Sequence, residues 1–249
     1  MTLAKFFWAL IFQASPAELA EYAVLLQKFG APVEALKILS RVDKNQAPQA
    51  FPYEAFCHFP RWEFDLALKA LESYISLIPD GYQNLVGRVN LASALLGAGR
   101  MTEASELLDE NILLCQKYQH SRLEANCLEM RVQVHIRLGE FIAARKSLEK
   151  AEQLIPGKDT WDQLFVQKWK AILQSLSENE PFSIMKFRQE AIRREHWETV
   201  RETDLYLLKV KFNKKAFQHL VFGTPYKGYR ERIYSENWLR CRRVILPSG

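Results

Sequence analysis

Apolar residues recur at helical spacing along most of the chain. From Trp161 onward they fall on one helical face, at Trp161, Leu164, Phe165, Lys168/Trp169, Ile172 and Leu176. The 249 residues include only ten glycines and ten prolines, so there is little room for long coil. The pattern predicts helices throughout, with a further pair near Phe182–His196 and Glu198–Lys211.

Four segments share one local arrangement, in which an apolar helix is followed by a short turn and a second helix. The turn position holds Gly30, Trp62, Gly99 and Gly139. Five residues later an alanine follows in every case: Ala35, Ala67, Ala104 and Ala144, which are 32, 37 and 40 residues apart. Seven residues before the turn position stands a small or aliphatic residue: Ala23, Ala55, Ala92 and Val132. A turn glycine can adopt the left-handed conformation that ends a helix, and small side chains let two helices approach closely.

Several residues mark expected helix boundaries. Ser15-Pro-Ala-Glu18 forms a capping box that predicts a helix from about residue 16, and Ala31-Pro32 opens the next helix. The prolines expected to stop second helices are Pro48, Pro79 and Pro156. Pro52 and Pro60 lie within and after one first helix, which must therefore be short or kinked.

These marks resemble the tetratricopeptide repeat, a family of antiparallel helical hairpins. The best copy runs from Arg131 through Gly139 and Ala144 to Pro156, and the next best is Gly99-Arg-Met-Thr-Glu-Ala104. The resemblance covers residues 16–156, and the long spacing is similar to that of bacterial regulatory and cargo-binding members.

The resemblance implies an all-α fold, an α-solenoid of about five antiparallel helical hairpins with a basic helical C-terminal cap. The predicted organisation is a packing helix at 1–15, repeats at 16–156, a degenerate repeat or capping helices at 157–211, and a basic aromatic segment at 212–249.

The net charge of +5 is unevenly distributed. Residues 205–249 hold ten basic and two acidic side chains, interleaved with aromatic residues. This mixture is typical of a solvated cap helix, of a surface for an acidic partner, or of a nucleic-acid contact. The weaker predicted interface for nucleic acid or an acidic partner comprises Lys214, Lys215, Lys227, Arg230, Arg232, Arg240, Arg242 and Arg243.

No pattern of residues indicates catalysis. The chain lacks H-E-x-x-H, G-x-S-x-G and G-x-x-x-x-G-K-[ST], and its five histidines are not spaced as metal ligands. We therefore expect no enzyme, no cofactor and no metal. The four cysteines are far apart in sequence, as buried free thiols in a reducing compartment would be. The apolar run Phe6–Phe12 is too short to span a bilayer, and its two interpretations are a packed first helix or a signal peptide. We expect a cytoplasmic protein.

The remaining candidate for a binding site is the concave face, which in such repeats is lined by the first helix of each hairpin. The family's concave positions, projected onto this chain, fall at Val24, Gln27, Phe56, Phe59, Val89, Asn90, Ser93, Asn126, Glu129, Gln133 and Arg137. Amides there can bind the backbone of an extended peptide, and apolar residues can form pockets for its side chains. The sequence thus favours a scaffold or regulatory adaptor for a protein or peptide. The alternative is a regulatory protein whose basic end contacts nucleic acid while the repeats sense a signal. The sequence carries no signal for oligomeric state.

Overall fold

The computed structural model describes residues 14–155, 161–211 and 213–222, and all regular structure in these residues is helical. The all-α architecture of packed consecutive helices expected for a helical-repeat solenoid is confirmed. The chain divides into two compact units, Met1–Ala94 and Leu95–Gly249.

The first unit contains α1 to α4 and most of α5. Its helices are α1 (Pro16–Lys28), α2 (Pro32–Leu39), α3 (Ala50–His58), α4 (Phe64–Leu77) and α5 (Gly81–Gly97), which continues into the second unit. Helix α1 begins as predicted, because the Ser15 backbone N–H donates to Glu18 Oε2 at 2.8 Å and the Ser15 hydroxyl accepts from the Glu18 N–H. Successive helices from α1 to α4 pack on one another, and α1 also contacts α3.

The second unit continues the same alternation. Its helices are α6 (Met101–Lys117), α7 (Ser121–Leu138), α8 (Phe141–Leu154), α9 (Trp161–Glu178), α10 (Phe182–Arg193), α11 (Trp197–Val210) and α12 (Lys214–Phe222). Each packs on the next from α6 to α12, and α9 also contacts both α7 and α11. The predicted helices beyond residue 160 are therefore confirmed, and the first helices of three consecutive hairpins lie side by side.

The repeated marks have the conformations that their spacing predicts. All four turn positions have a positive φ: Gly30 82°, Trp62 56°, Gly99 80° and Gly139 78°. The four alanines and the four small or aliphatic residues are completely buried, each with 0% exposure: Ala35, Ala67, Ala104, Ala144, Ala23, Ala55, Ala92 and Val132. Trp62 shows that the left-handed turn does not require glycine here, because its buried side chain holds the conformation.

One boundary prediction is wrong. Helix α2 ends at Leu39, so Pro48 does not terminate it. The Ser40 hydroxyl donates to the Lys37 carbonyl, and Asp43 Oδ1 accepts from the Asn45 backbone N–H at 3.1 Å. Such local bonds offer the backbone an alternative to the helix before any proline is reached. The prediction for α3 is confirmed, since that helix has nine residues and runs into a short 3-10 turn, Phe59–Arg61.

Several predictions lie outside the described residues: the packing helix at 1–15 except for its last two residues, the stop at Pro156, and residues 223–249. Cys57, Cys115 and Cys127 are free and buried as expected, while Cys241 lies beyond the described part. Within that part, no helix is both long enough and apolar enough to cross a membrane.

Candidate binding face of the second unit

The first helices α7, α9 and α11 place a group of polar side chains next to one another. We define the inner cluster as Glu129 and Gln133 of α7, Lys168 of α9 and Glu202 of α11. Glu129 and Gln133 are one helical turn apart, so both side chains lie on the same side of α7. The cluster is formed by residues from three helices.

Glu129 is the carboxylate most strongly affected by this setting. Gln133 Nε2 donates a hydrogen bond to Glu129 Oε1 at 3.1 Å. Burial raises the pKa of Glu129, and the nearby negative charge of Glu202 raises it further, while Lys168 opposes the rise. Desolvation is the largest of these effects, so this setting favours the neutral form of the Glu129 carboxyl.

Lys168 is the central cation of the cluster. Only 4% of its side chain is exposed, and its Nζ lies 2.6 Å from Glu202 Oε2. The same ammonium lies 4.5 Å from the centre of the Trp169 ring and 5.0 Å from that of Phe165. Both rings provide cation–π contacts that partly replace water. A buried charge pair is weak evidence for stability, since desolvation consumes much of its attraction.

Aromatic side chains surround the cluster. The Trp169 and Tyr206 rings meet edge to face with centroids 5.4 Å apart, and Phe165 meets His196 edge to face at 5.7 Å. Burial lowers the pKa of His196, and the positive charge of Lys168 lowers it further. This setting therefore favours the neutral form of His196. Phe165 and His196 are half-buried, whereas Trp169 and Tyr206 are buried. The half-buried rings lie next to amides and charged groups, a mixture that recurs in ligand sites.

The structure brings only some of the predicted α7 residues into this cluster. Glu129 and Gln133 belong to it, and Asn126 lies half-buried one turn earlier on α7. Arg137 is engaged differently: its Nη1 donates to the Leu96 carbonyl at 3.1 Å and contacts the Met101 sulfur at 3.8 Å. Its guanidinium thereby holds the end of α5 against the start of α6.

Among the predicted residues of the first unit, Gln27, Phe56 and Phe59 lie together. Gln27 Nε2 donates to the Phe56 carbonyl at 3.3 Å, and the half-buried Phe56 and Phe59 rings lie 6.3 Å apart. Asn90 donates to the Val86 carbonyl of its own helix at 2.9 Å. Of the remaining predicted positions, Ser93 is half-buried, whereas Val24 and Val89 are buried.

Sequence reasoning did not select Lys168 and Glu202 as site residues. A usable signal was present for Lys168, because it occupies an apolar-face position of α9 where a lysine is unexpected. Glu202 carries no comparable signal in the sequence, since its role depends on the neighbouring helix.

The predicted basic surface is described only at its start. Lys214 and Lys215 are exposed at the beginning of α12. The other six basic residues, Lys227, Arg230, Arg232, Arg240, Arg242 and Arg243, lie outside the described residues. Among the described residues, no group of three or more His, Cys, Asp or Glu side chains could hold a metal ion.

Neither a scan against protein-family models nor a search of the curated proteins finds a match to this chain. The tetratricopeptide resemblance therefore stays a prediction that rests on the spacing, the φ angles and the burial described above.

Proposed function

We propose that this protein is a non-catalytic scaffold or regulatory adaptor that binds an extended peptide on the α7–α9–α11 face of its second unit. The observation that carries the proposal is the inner cluster. Lys168 and Glu202 form a buried ion pair, and Glu129 is a desolvated carboxyl beside them, where apolar residues would pack at lower cost. Ionisable groups in such a setting support a role in recognition more than in stability.

Peptide recognition uses the amides beside the cluster. Gln133 donates to Glu129 through Nε2, which leaves its Oε1 to accept a backbone N–H from a peptide. Asn126, half-buried about two turns before Gln133 on the same helix, would make a second backbone contact. The half-buried ring of Phe165 supplies apolar surface for peptide side chains. Amides for the backbone and rings for the side chains are the two elements that extended-peptide recognition requires.

Binding is preferred over catalysis as the function of this face. Lys168 is held by a short ion pair and by two aromatic rings, so its ammonium is poorly placed to act as a nucleophile or base. The sequence also contains no recognised arrangement of a nucleophile, its base and an orienting residue.

The test is a selection of random displayed peptides on the wild-type protein, with affinities then measured on the double variant Asn126→Ala/Gln133→Ala. Each lost amide contact is worth about 0.5–1.5 kcal/mol. Selected peptides should therefore bind the variant about 5- to 150-fold more weakly.

The matched control is Arg145→Ala/Glu149→Ala, which truncates two exposed side chains of α8. Peptide affinity should stay within about twofold of wild type in this variant, because surface substitutions away from a site are close to neutral. Peptides that bind the two double variants equally well would refute the assignment of this face.

A further inference from the structure

A pocket of about 250 Å³ opens between α6, α7 and α8, apart from the inner cluster. Ile112 of α6 and Leu128 of α7 contribute apolar surface to its lining. Basic side chains line it as well: Arg131 comes from α7, and Lys146 and Lys150 stand one helical turn apart on α8. The pocket is therefore partly apolar and carries three cations on two helices.

The two acidic residues of the lining already have partners. Arg131 forms an ion pair with Asp109, and Gln116 Nε2 donates to Glu124 Oε1 at 2.8 Å. Lys146 and Lys150 make no ion pair with the described residues. The lining itself carries three cations and two carboxylates, and a further carboxylate, that of Glu140, lies beside His135.

Arg131 has hydrogen-bonding capacity left over. Its Nε is buried and has no hydrogen-bond partner among the described residues. Burial also lowers the pKa of Arg131, so the guanidinium is held in a setting that disfavours its charge. An anion brought into the pocket would compensate this desolvated charge, because guanidinium N–H groups bind phosphate and carboxylate oxygens through paired hydrogen bonds.

One further group adds to the donor set. The Ser147 hydroxyl belongs to the same lining, between the two lysines in sequence. His135 also lines the pocket, but its Nδ1 lies 2.7 Å from Glu140 Oε2, and a neutral ring that donates there presents Nε2 as an acceptor. Guanidinium, two ammonium groups and a hydroxyl together suit a ligand with several acceptor oxygens and more than one negative charge.

We propose that this pocket binds a small organic phosphate, with the phosphate held by Arg131, Lys146 and Lys150 and a compact apolar group against Ile112 and Leu128. Without a ligand, the Asp109 carboxylate pairs with Arg131 in place of the phosphate. Its side chain is 55% exposed, so it can move into water when a ligand takes its place. The volume fits a ligand of about ten non-hydrogen atoms, below the usual size of drug-binding pockets.

Titration calorimetry with phenyl phosphate tests the proposal at low salt and about pH 7.5, where the phosphate is close to a dianion. The wild type should bind phenyl phosphate more tightly than inorganic phosphate, which lacks the apolar group, and than benzoate, which carries one charge. Lys146→Ala/Lys150→Ala should weaken phenyl phosphate binding at least about tenfold. Asp109→Asn should tighten it several-fold, because the competing carboxylate is removed.

The matched control is Lys69→Ala/Lys186→Ala, which removes two exposed lysines from other helices and changes the net charge equally. Its affinity for phenyl phosphate should stay within about twofold of wild type. All four substituted lysines are exposed, and a circular-dichroism melt confirms that each variant is folded. Equal losses in the two lysine double variants overturn the proposal, as does the absence of wild-type binding up to the order of 10 mM.

Discussion

Replacing Ala144 by leucine tests the steric argument for the repeat most directly. Ala144 lies on α8 at the position where the spacing predicts a close approach to α7, and its exposure is 0%. Leucine adds three carbon atoms at a position with no room. We expect the leucine either to push α7 and α8 apart or to force the neighbouring side chains into unfavourable rotamers.

The magnitude follows from three contributions. Overpacking a filled core costs about 1–3 kcal/mol. Leucine has a slightly lower helix propensity than alanine, which adds only a few tenths of a kcal/mol to the loss. Burial of the added carbons would stabilise the protein only if they found space, which complete burial of Ala144 argues against. The net loss is about 1–3 kcal/mol, and each kcal/mol lowers the Tm of a chain of this length by about 2–4 °C.

Urea unfolding and thermal melts followed by circular dichroism at 222 nm measure this change. The control is Arg145→Leu, because Arg145 is the next residue, is exposed, and has a helix propensity close to that of leucine. The control should lie within about 0.5 kcal/mol of wild type. If Ala144→Leu were equally neutral, the steric explanation of the repeated alanines would be wrong.

Three further predictions concern other parts of the fold. Gly87→Ala should lower the unfolding free energy by about 1 kcal/mol in urea unfolding, because the new Cβ would lie 2.9 Å from Tyr74 Cδ1. This overpacking exceeds the gain in helix propensity, so a stabilised variant would contradict the prediction. Ser15→Ala should cost about 1 kcal/mol in the same assay through loss of the cap on α1, and no change would mean that the cap contributes nothing. For Glu129→Gln, the unfolding free energy of the variant minus that of wild type should increase as pH rises from 4 to 8, measured by parallel urea titrations. A difference that stays constant over this pH range would refute the prediction.

The sign of the Glu129 effect follows from its raised pKa. In the unfolded chain the carboxyl titrates near its ordinary value of 4.5, whereas in the folded protein it keeps its proton to higher pH. Its contribution to stability is therefore present below about pH 4.5 and is lost as pH rises through the folded pKa. The charged groups facing it are Lys168 and Glu202, and both remain in the glutamine variant.

The helical class and the hairpins could be predicted from the sequence alone. The information is local: a residue with positive φ at the turn, an alanine five residues later, and a small residue seven before it. Each of these is a steric requirement over a dozen residues, so it is visible without a partner helix. The wrong prediction at Pro48 is also explained locally, because side-chain hydrogen bonds of Ser40 and Asp43 accompany the end of α2 before Pro48 is reached.

Only the tertiary structure decided the two candidate sites. Lys168 and Glu202 are 34 residues apart and meet because α9 and α11 pack side by side, which no local pattern specifies. The raised pKa of Glu129 likewise depends on burial by neighbouring helices and not on its own sequence context. The pocket of Arg131, Lys146 and Lys150 exists because three helices leave a gap of defined volume. Local sterics determine which hairpins form, whereas charge, desolvation and cavity shape depend on how those hairpins are packed.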